Sequence, residues 1–213
     1  MNKAVNIING ENNIIIVVKK NIEYINNYSK IPLGFKINIS GSNNVIKLCL
    51  PIKTKDFNIN ICDREKGVKN YNDNYIEIGS ILVWGSVNIA CQGSKNKITI
   101  GKGTRINTKL SIKTERATLS IGEDCLISDA DFWVTDYHDV IDAEGNKINK
   151  QKHPCIIGKH CWLGANTTFL KNAQIAENCI VGVGAVVGKV FSESNCCICG
   201  NPANIVKRGV NWK

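Results

Sequence analysis

Residues 156–191 read IIGKHC-WLGANT-TFLKNA-QIAENC-IVGVGA-VVGKVF when divided into sixes. The second position of each block is Ile157, Leu163, Phe169, Ile175, Val181 and Val187. The sixth is Cys161, Thr167, Ala173, Cys179, Ala185 and, in the last block, Phe191. A large apolar residue every six positions, with a small one four further on, matches neither helical periodicity nor the alternation of a plain strand. It predicts short flat strands separated by tight corners. The large residue points into a coil interior and the small one lets the chain turn. Gly158, Gly164, Gly182, Gly184 and Gly188, with Asn166, Asn172 and Asn178, fall where such corners demand unusual backbone angles.

The same beat is present upstream. Val83 and Ile89 are six apart, and Ile100, Ile106 and Ile112 keep the spacing. After a slip of phase near residues 114–117, Ile121, Ile127 and Trp133 resume it, and IGEDC (121–125) parallels IGKHC (157–161). Between these two runs the beat fails. Residues 134–155, VTDYHDVIDAEGNKINKQKHPC, carry a Glu-Gly-Asn turn and no six-residue period. An insertion cannot enter the core of a solenoid, so it must loop out of one face, where function tends to sit. The expected organisation is an N-terminal cap of looser β coils over residues 1–75, a β-helical core over 76–200 with its loop at 134–155, and a tail over 201–213. Within the first part, GENNIIIV (10–17) and SGSNNVIKL (40–48) each read as a turn followed by a strand. Residues 21–29 read as a short strand or an irregular turn, and 56–74 as a polar stretch containing a loop. The tail reads as a closing strand or helix.

Composition narrows the function classes. The chain has 213 residues, a formal net charge of +9 and few aromatics, which suits strands and turns rather than a globule around aromatic anchors. The basic balance points to an anionic cofactor or an acidic saccharide. No basic run is interleaved with aromatics, so nucleic acid is not an expected partner. Of the 10 cysteines, Cys125, Cys161 and Cys179 fall on small inward positions, where Cys acts as a small hydrophobe. Cys196, Cys197 and Cys199 lack ligand spacing, and no metal site is expected. Many scattered thiols fit a reducing compartment. The apolar run Ile14 to Val18 is too short for an export signal or a membrane span, so the expectation is a cytoplasmic protein without an integral membrane segment.

The beat of residues 156–187, the TDYHDV loop before it and the closing GNPANIVKR together resemble the hexapeptide-repeat acetyltransferases, over roughly residues 75–208. Among these the chain is most similar to bacterial saccharide O-acetyltransferases that modify capsule, polysialic acid or O-antigen. The resemblance implies a left-handed parallel β-helix with about three hexapeptides per coil. It also implies a homotrimer with acetyl-CoA lying between neighbouring subunits.

Transfer of acetyl from a thioester to a sugar hydroxyl needs a base that titrates near neutrality, and histidine supplies it. The chain has His138, His153 and His160. His138 opens the protruding loop between Asp136 and Asp139, and by resemblance it matches the family's catalytic histidine in an Asp-x-His setting. A carboxylate such as Asp136, or a backbone carbonyl, would orient the ring. His160 reads as structural or interfacial, and His153 has no assigned role. Trp162 matches a tryptophan near the family's active site and cofactor, and as a core filler its indole N–H would need a partner. By the same resemblance Ala165 and Val183 match backbone contacts to the pantetheine arm, and Lys189 matches a coenzyme-binding lysine. Gly188 stands where relatives often have Thr, so that side-chain contact is missing. Lys207 and Arg208 either meet the 3′-phosphate of coenzyme A or are solvated end charges. Lys171 is a surface corner or a cofactor contact.

The expected reaction is direct transfer with His138 as general base. A covalent route through Cys155, near His153, is the competing chemistry. Alternative functions are N-acetylation of a nucleotide-linked amino sugar, a non-catalytic β-helix scaffold, and a γ-class carbonic anhydrase using three histidines. Against the last, His153 and His160 are seven apart rather than five. A serine acetyltransferase would need a helical N-terminal region that strand-rich residues 1–75 do not provide.

Overall fold

The structure, a computed structural model, describes residues 5–62, 71–149 and 154–213. The chain winds into a left-handed parallel β-helix. Among the described residues the only helix is one 3-10 turn at Tyr28–Lys30. Three inward stacks run along the coil axis. Val83, Ile106, Ile127, Leu163, Val181 and Ile198 lie in register on the first face. Ile89, Ile112, Phe132, Phe169 and Val187 form the second. Ile78, Ile100, Ile121, Ile157, Ile175 and Phe191 form the third. All of them are buried. Each thereby contributes about 1.5–3 kcal/mol of apolar burial to a core no wider than the side chains that fill it.

The six-residue beat is therefore the interval between faces, and three beats close one coil. Leu163 pairs with Val181, Phe169 with Val187 and Ile157 with Ile175, each 18 positions on. The small positions Cys161, Thr167, Ala173, Cys179 and Ala185 are all fully buried at the corners. Phe191 falls at the sixth place of its block because the last coil is shorter. It stands beneath Ile175 as a large inward residue.

Two expectations are corrected. Trp133 does not continue the inward beat: Phe132 does, stacked on Phe169 with ring centroids 4.5 Å apart, while Trp133 points outward. The strand Leu126–Val134 turns from the first face to the second one residue early, and alternation then puts Trp133 outside. The corner glycines also divide into two kinds. Asn166, Asn172, Asn178 and Gly184 have positive φ, as expected. Gly158 and Gly164 do not. They are needed because a Cβ would come within 2.5 Å of Glu177 N in one case and 2.8 Å of Val181 O in the other.

Pairing runs unbroken across residue 75, with Val45 opposite Tyr75 and Ile59 opposite Ile89. Coils before it are longer: Ile15 pairs with Ile46, and Ile46 with Ile76. The two Asn-Asn turn segments give strands Ile14–Lys19 and Val45–Cys49, stacked directly on one another. Ile22–Ile25 folds back antiparallel onto the first of them; Asp56–Ile61 is a strand, and residues 63–70 of the polar stretch expected to contain a loop lie outside the described residues. At one corner a ladder of amides, buried at Asn44, Asn74 and Asn96, links the coils: Asn44 donates to the half-buried Asn13, Asn74 to Asn44 and Asn96 to Asn74. At the other end the tail closes as the strand Ala203–Arg208, antiparallel to Cys196–Gly200.

Candidate active site

The strand Leu126–Val134 ends where the chain leaves the β-helix, and the segment that follows is held by side chains rather than by a sheet. Thr135 donates to the Glu115 carboxylate at 3.0 Å, and its hydroxyl accepts from Tyr137 N at 2.9 Å. Tyr137 takes a positive φ, so the chain bends sharply just before His138. Asn149, on the returning limb, ties the loop shut. Its Nδ2 donates to Asp136 at 2.7 Å and to the His138 carbonyl at 2.9 Å, and its Oδ1 accepts from Val140 N at 3.0 Å. At the tip, Asp142 accepts from Asn146 N at 2.7 Å and from Glu144 N. These donors hold its carboxyl below the usual range.

His138 lies on the rim of a cleft of about 220 Å³, whose walls include Glu115, Asp136, Tyr137, Asn149 and Lys171. The cleft mixes both charge signs around one imidazole. Neither flanking carboxylate engages that ring. Asp136 is paired with Lys171 and bonded to Asn149, and Asp139 is paired with Lys147. Asp136 therefore anchors the base of the loop to the next coil. Lys171 ends in the same cleft as His138. Nothing in the spacing of Asp136, Asn149 and Lys171 announced this clamp, because the three meet only when the loop closes over the coil.

The other expected site residues stand apart from this cleft. Trp162 is exposed on the first face, its Nε1 donating to Ser128 Oγ at 3.4 Å. Ala165 and Val183 meet on successive coils, where Gly184 N donates to the Ala165 carbonyl at 2.9 Å, and Val183 is 74% exposed. Gly188 faces Leu170, and Lys189 donates to Asn204 at 2.8 Å with its ammonium above the Phe191 ring. Arg208 donates to Glu193 at 3.0 Å, and Lys207 is exposed on the closing strand. None of these residues lines the His138 cleft. They lie instead on outward surfaces of the later coils and of the closing strand.

His160 is part of the packing. Its ring stacks on Trp212 at 4.5 Å, Nδ1 lies 3.0 Å from the Asp124 carboxylate, and Trp212 Nε1 donates to the His160 carbonyl at 2.9 Å. His153 lies outside the described residues. Cys155 is fully buried, and burial pushes its thiol up to about 12, which disfavours the thiolate a nucleophile needs. Cys197 and Cys199 bring their Sγ atoms to 3.6 Å, beside the buried Cys196. Among the described residues no helix is long and apolar enough to cross a membrane.

Comparison with known proteins agrees with the architecture. Residues 154–189 match the family described as bacterial transferase hexapeptide (six repeats). A polysialic acid O-acetyltransferase of Neisseria meningitidis is 42% identical over 113 residues, covering 52% of this chain and 52% of the relative. One from Escherichia coli O1:K1 / APEC is 30% identical over 125 residues, covering 58% of this chain and 40% of the relative. The chain thus spans about half or less of the length of these curated relatives. The crystallographic structure of the polysialic acid O-acetyltransferase OatWY matches with a TM-score of 0.69 at 26% identity, covering 98% of this chain and 91% of that one. The chain carries a bacterial transferase hexapeptide repeat over residues 154–189 on a left-handed β-helix, and it is similar in sequence and fold to polysialic acid O-acetyltransferases.

Proposed function

We propose that the chain is an acetyl-CoA-dependent O-acetyltransferase acting on a hydroxyl of a bacterial surface saccharide, of the capsule, polysialic acid or O-antigen class. The observation that carries this is the position of His138. It stands on a loop braced by Asn149 and Lys171, at the rim of a cleft, on a β-helix whose relatives are named as O-acetyltransferases of an acidic saccharide.

Bound acetyl-CoA supplies an acetyl group activated as a thioester. An imidazole nitrogen of His138 takes the proton of the acceptor hydroxyl as that oxygen forms its bond to the acetyl carbon. The C–S bond breaks, and the imidazolium returns the proton to the departing sulfur, so no group on the protein is acylated. Lys171 and Asn149 hold Asp136, and through it the loop that aims His138. The row Trp162, Ala165, Val183, Gly188 and Lys189 receives the coenzyme, with Lys207 and Arg208 toward its phosphates. Because this row is absent from the walls of the His138 cleft, we assign the complete site to the junction of neighbouring subunits in a homotrimer. There the His138 of one chain serves the coenzyme row of the next. A chain of this kind works in the cytoplasm, where acetyl-CoA is made.

The test is direct. Purified protein is incubated with acetyl-CoA and a panel of sialylated and neutral saccharides, and released coenzyme A thiol is measured. His138→Ala should lower kcat by at least about 100-fold, the usual worth of a general base. Unchanged transfer in that variant, or transfer only to amines, would overturn the proposal.

A further inference from the structure

Beside the His138 cleft lies a second hollow, of about 400 Å³, on the outer surface of the second face. Its floor follows from register. Asn38, Asn60, Ala90, Lys113 and Trp133 occupy the same outward position on successive coils. Ala90 is the only small side chain in that row, so the surface dips between Asn60 and Lys113. Trp133 forms one wall. It is 37% exposed, yet it is not loose: the Lys113 ammonium sits 3.4 Å from its ring centroid, and Tyr137 packs edge-on at 6.3 Å. The far side carries amides. Asn38 donates to Asn60 at 2.8 Å, and Asn60 to Asn88 at 3.5 Å. Each amide retains further donor or acceptor capacity toward a ligand.

The geometry points to this hollow as a subsite for an acidic oligosaccharide, holding a sugar residue next to the one presented to His138. The assignment rests on the function proposed above. An aromatic face takes the C–H side of a sugar ring, side-chain amides take its hydroxyls, and an ammonium takes a carboxylate as a point charge. All three chemistries meet here. Coils are spaced by about 4.8 Å, so the row from Asn60 to Trp133 extends about 14 Å, enough for more than one sugar ring. Continuity with the cleft is provided by Tyr137, which lines both hollows. An extended chain crossing Tyr137 would place one residue at His138 and its neighbour on Trp133. The net charge of +9 adds long-range attraction for a polyanion.

The test measures binding and transfer separately on the full chain. Binding is followed by calorimetry with sialic acid as monomer and as longer oligomers, with a neutral oligosaccharide, and with a single-stranded oligonucleotide of comparable charge. Wild type should bind sialic acid oligomers at least tenfold tighter than the monomer or the neutral chain. Trp133→Ala and Lys113→Gln should each lose most of that gain, with circular dichroism confirming the fold; Lys113→Gln serves if Trp133→Ala fails to fold. His138→Ala should retain oligomer binding and lose transfer. Wild-type oligomer affinity in both subsite variants overturns the assignment, as does equal binding of the neutral chain or tighter binding of the oligonucleotide. Persistent transfer by His138→Ala would instead refute the catalytic reading, while leaving the binding result to stand on its own.

Discussion

Asn74→Ala tests the corner ladder at its centre. Asn74 is essentially fully buried. Its Oδ1 accepts from Asn96 N at 2.9 Å and from Asn96 Nδ2 at 2.8 Å, and its Nδ2 donates to Asn44 Oδ1 at 2.8 Å. The three lost bonds are unequal. Asn96 Nδ2 keeps the Gln92 carbonyl, and Asn44 Oδ1 keeps the Asn74 backbone N–H. The Asn96 backbone N–H keeps nothing and is left buried without an acceptor. That orphaned group costs about 1–3 kcal/mol, and the two partly compensated bonds add about 0.5–1.5 kcal/mol each. The sum is about 2–6 kcal/mol, a large share of the stability of any domain of this size. The assay is urea unfolding followed by circular dichroism, with amide exchange at Asn96 as the local readout. Asn60→Ala, on the outer surface, is the control and should cost less than about 1 kcal/mol. A loss under about 0.5 kcal/mol for Asn74→Ala, with Asn96 still protected, would refute the claim that the ladder holds the coils in register.

Three further outcomes are expected. Gly122→Ala would put a Cβ 2.5 Å from Lys159 N on the next coil, so the coils must part there. The expected loss in urea stability is about 1–3 kcal/mol, and a neutral substitution would show that the coil spacing is softer than the geometry implies. Lys171→Met should leave the β-helix intact but free the loop: losing a charge-assisted bond of about 1.5–3 kcal/mol should speed amide exchange at Val140 and Ile148 about tenfold or more, and unchanged protection there would disprove the clamp. Burial pushes the Cys125 thiol from 9.0 to about 11 and that of Cys91 to about 12. Their folded values exceed the unfolded one, so stability is full below about pH 9 and declines as the unfolded thiols ionise between about pH 9 and 12. A urea midpoint that does not fall between about pH 8 and 10.5 would contradict this.

Much of the fold is legible in the chain because its physical cause is local. A coil of three short faces can bury one large side chain per face, so an apolar residue must recur every six positions whatever lies on the neighbouring coils. Ile157, Leu163, Phe169, Ile175, Val181 and Val187 obey this without exception. The same rule exposes residues 134–155 as an excursion, and with them His138. Where the rule depends on how sharply a corner turns, it slips. Phe132 rather than Trp133 points inward because the chain reaches the second face one residue sooner, and no period in the sequence records that.

By itself, then, the amino-acid sequence determined the repeat, the inward residues of coils 156–187 and the place of the loop that His138 opens. Only the tertiary structure decided which residues meet across coils. Asn44, Asn74 and Asn96 are separated by 30 and 22 positions, yet form one ladder. Lys171 reaches back 35 positions to Asp136, and Lys113 lies over Trp133 because those two residues pair in register. Such contacts are set by coil length, and coil length differs along this chain: Leu163 to Val181 is one turn, and so is Ile127 to Leu163, with the loop spanning the difference. A sequence period fixes direction within a coil, whereas the partner above and below follows from summed turn lengths. For that reason the place of the loop is legible in the sequence, and the clamp at its base and the Trp133 hollow beside it are not.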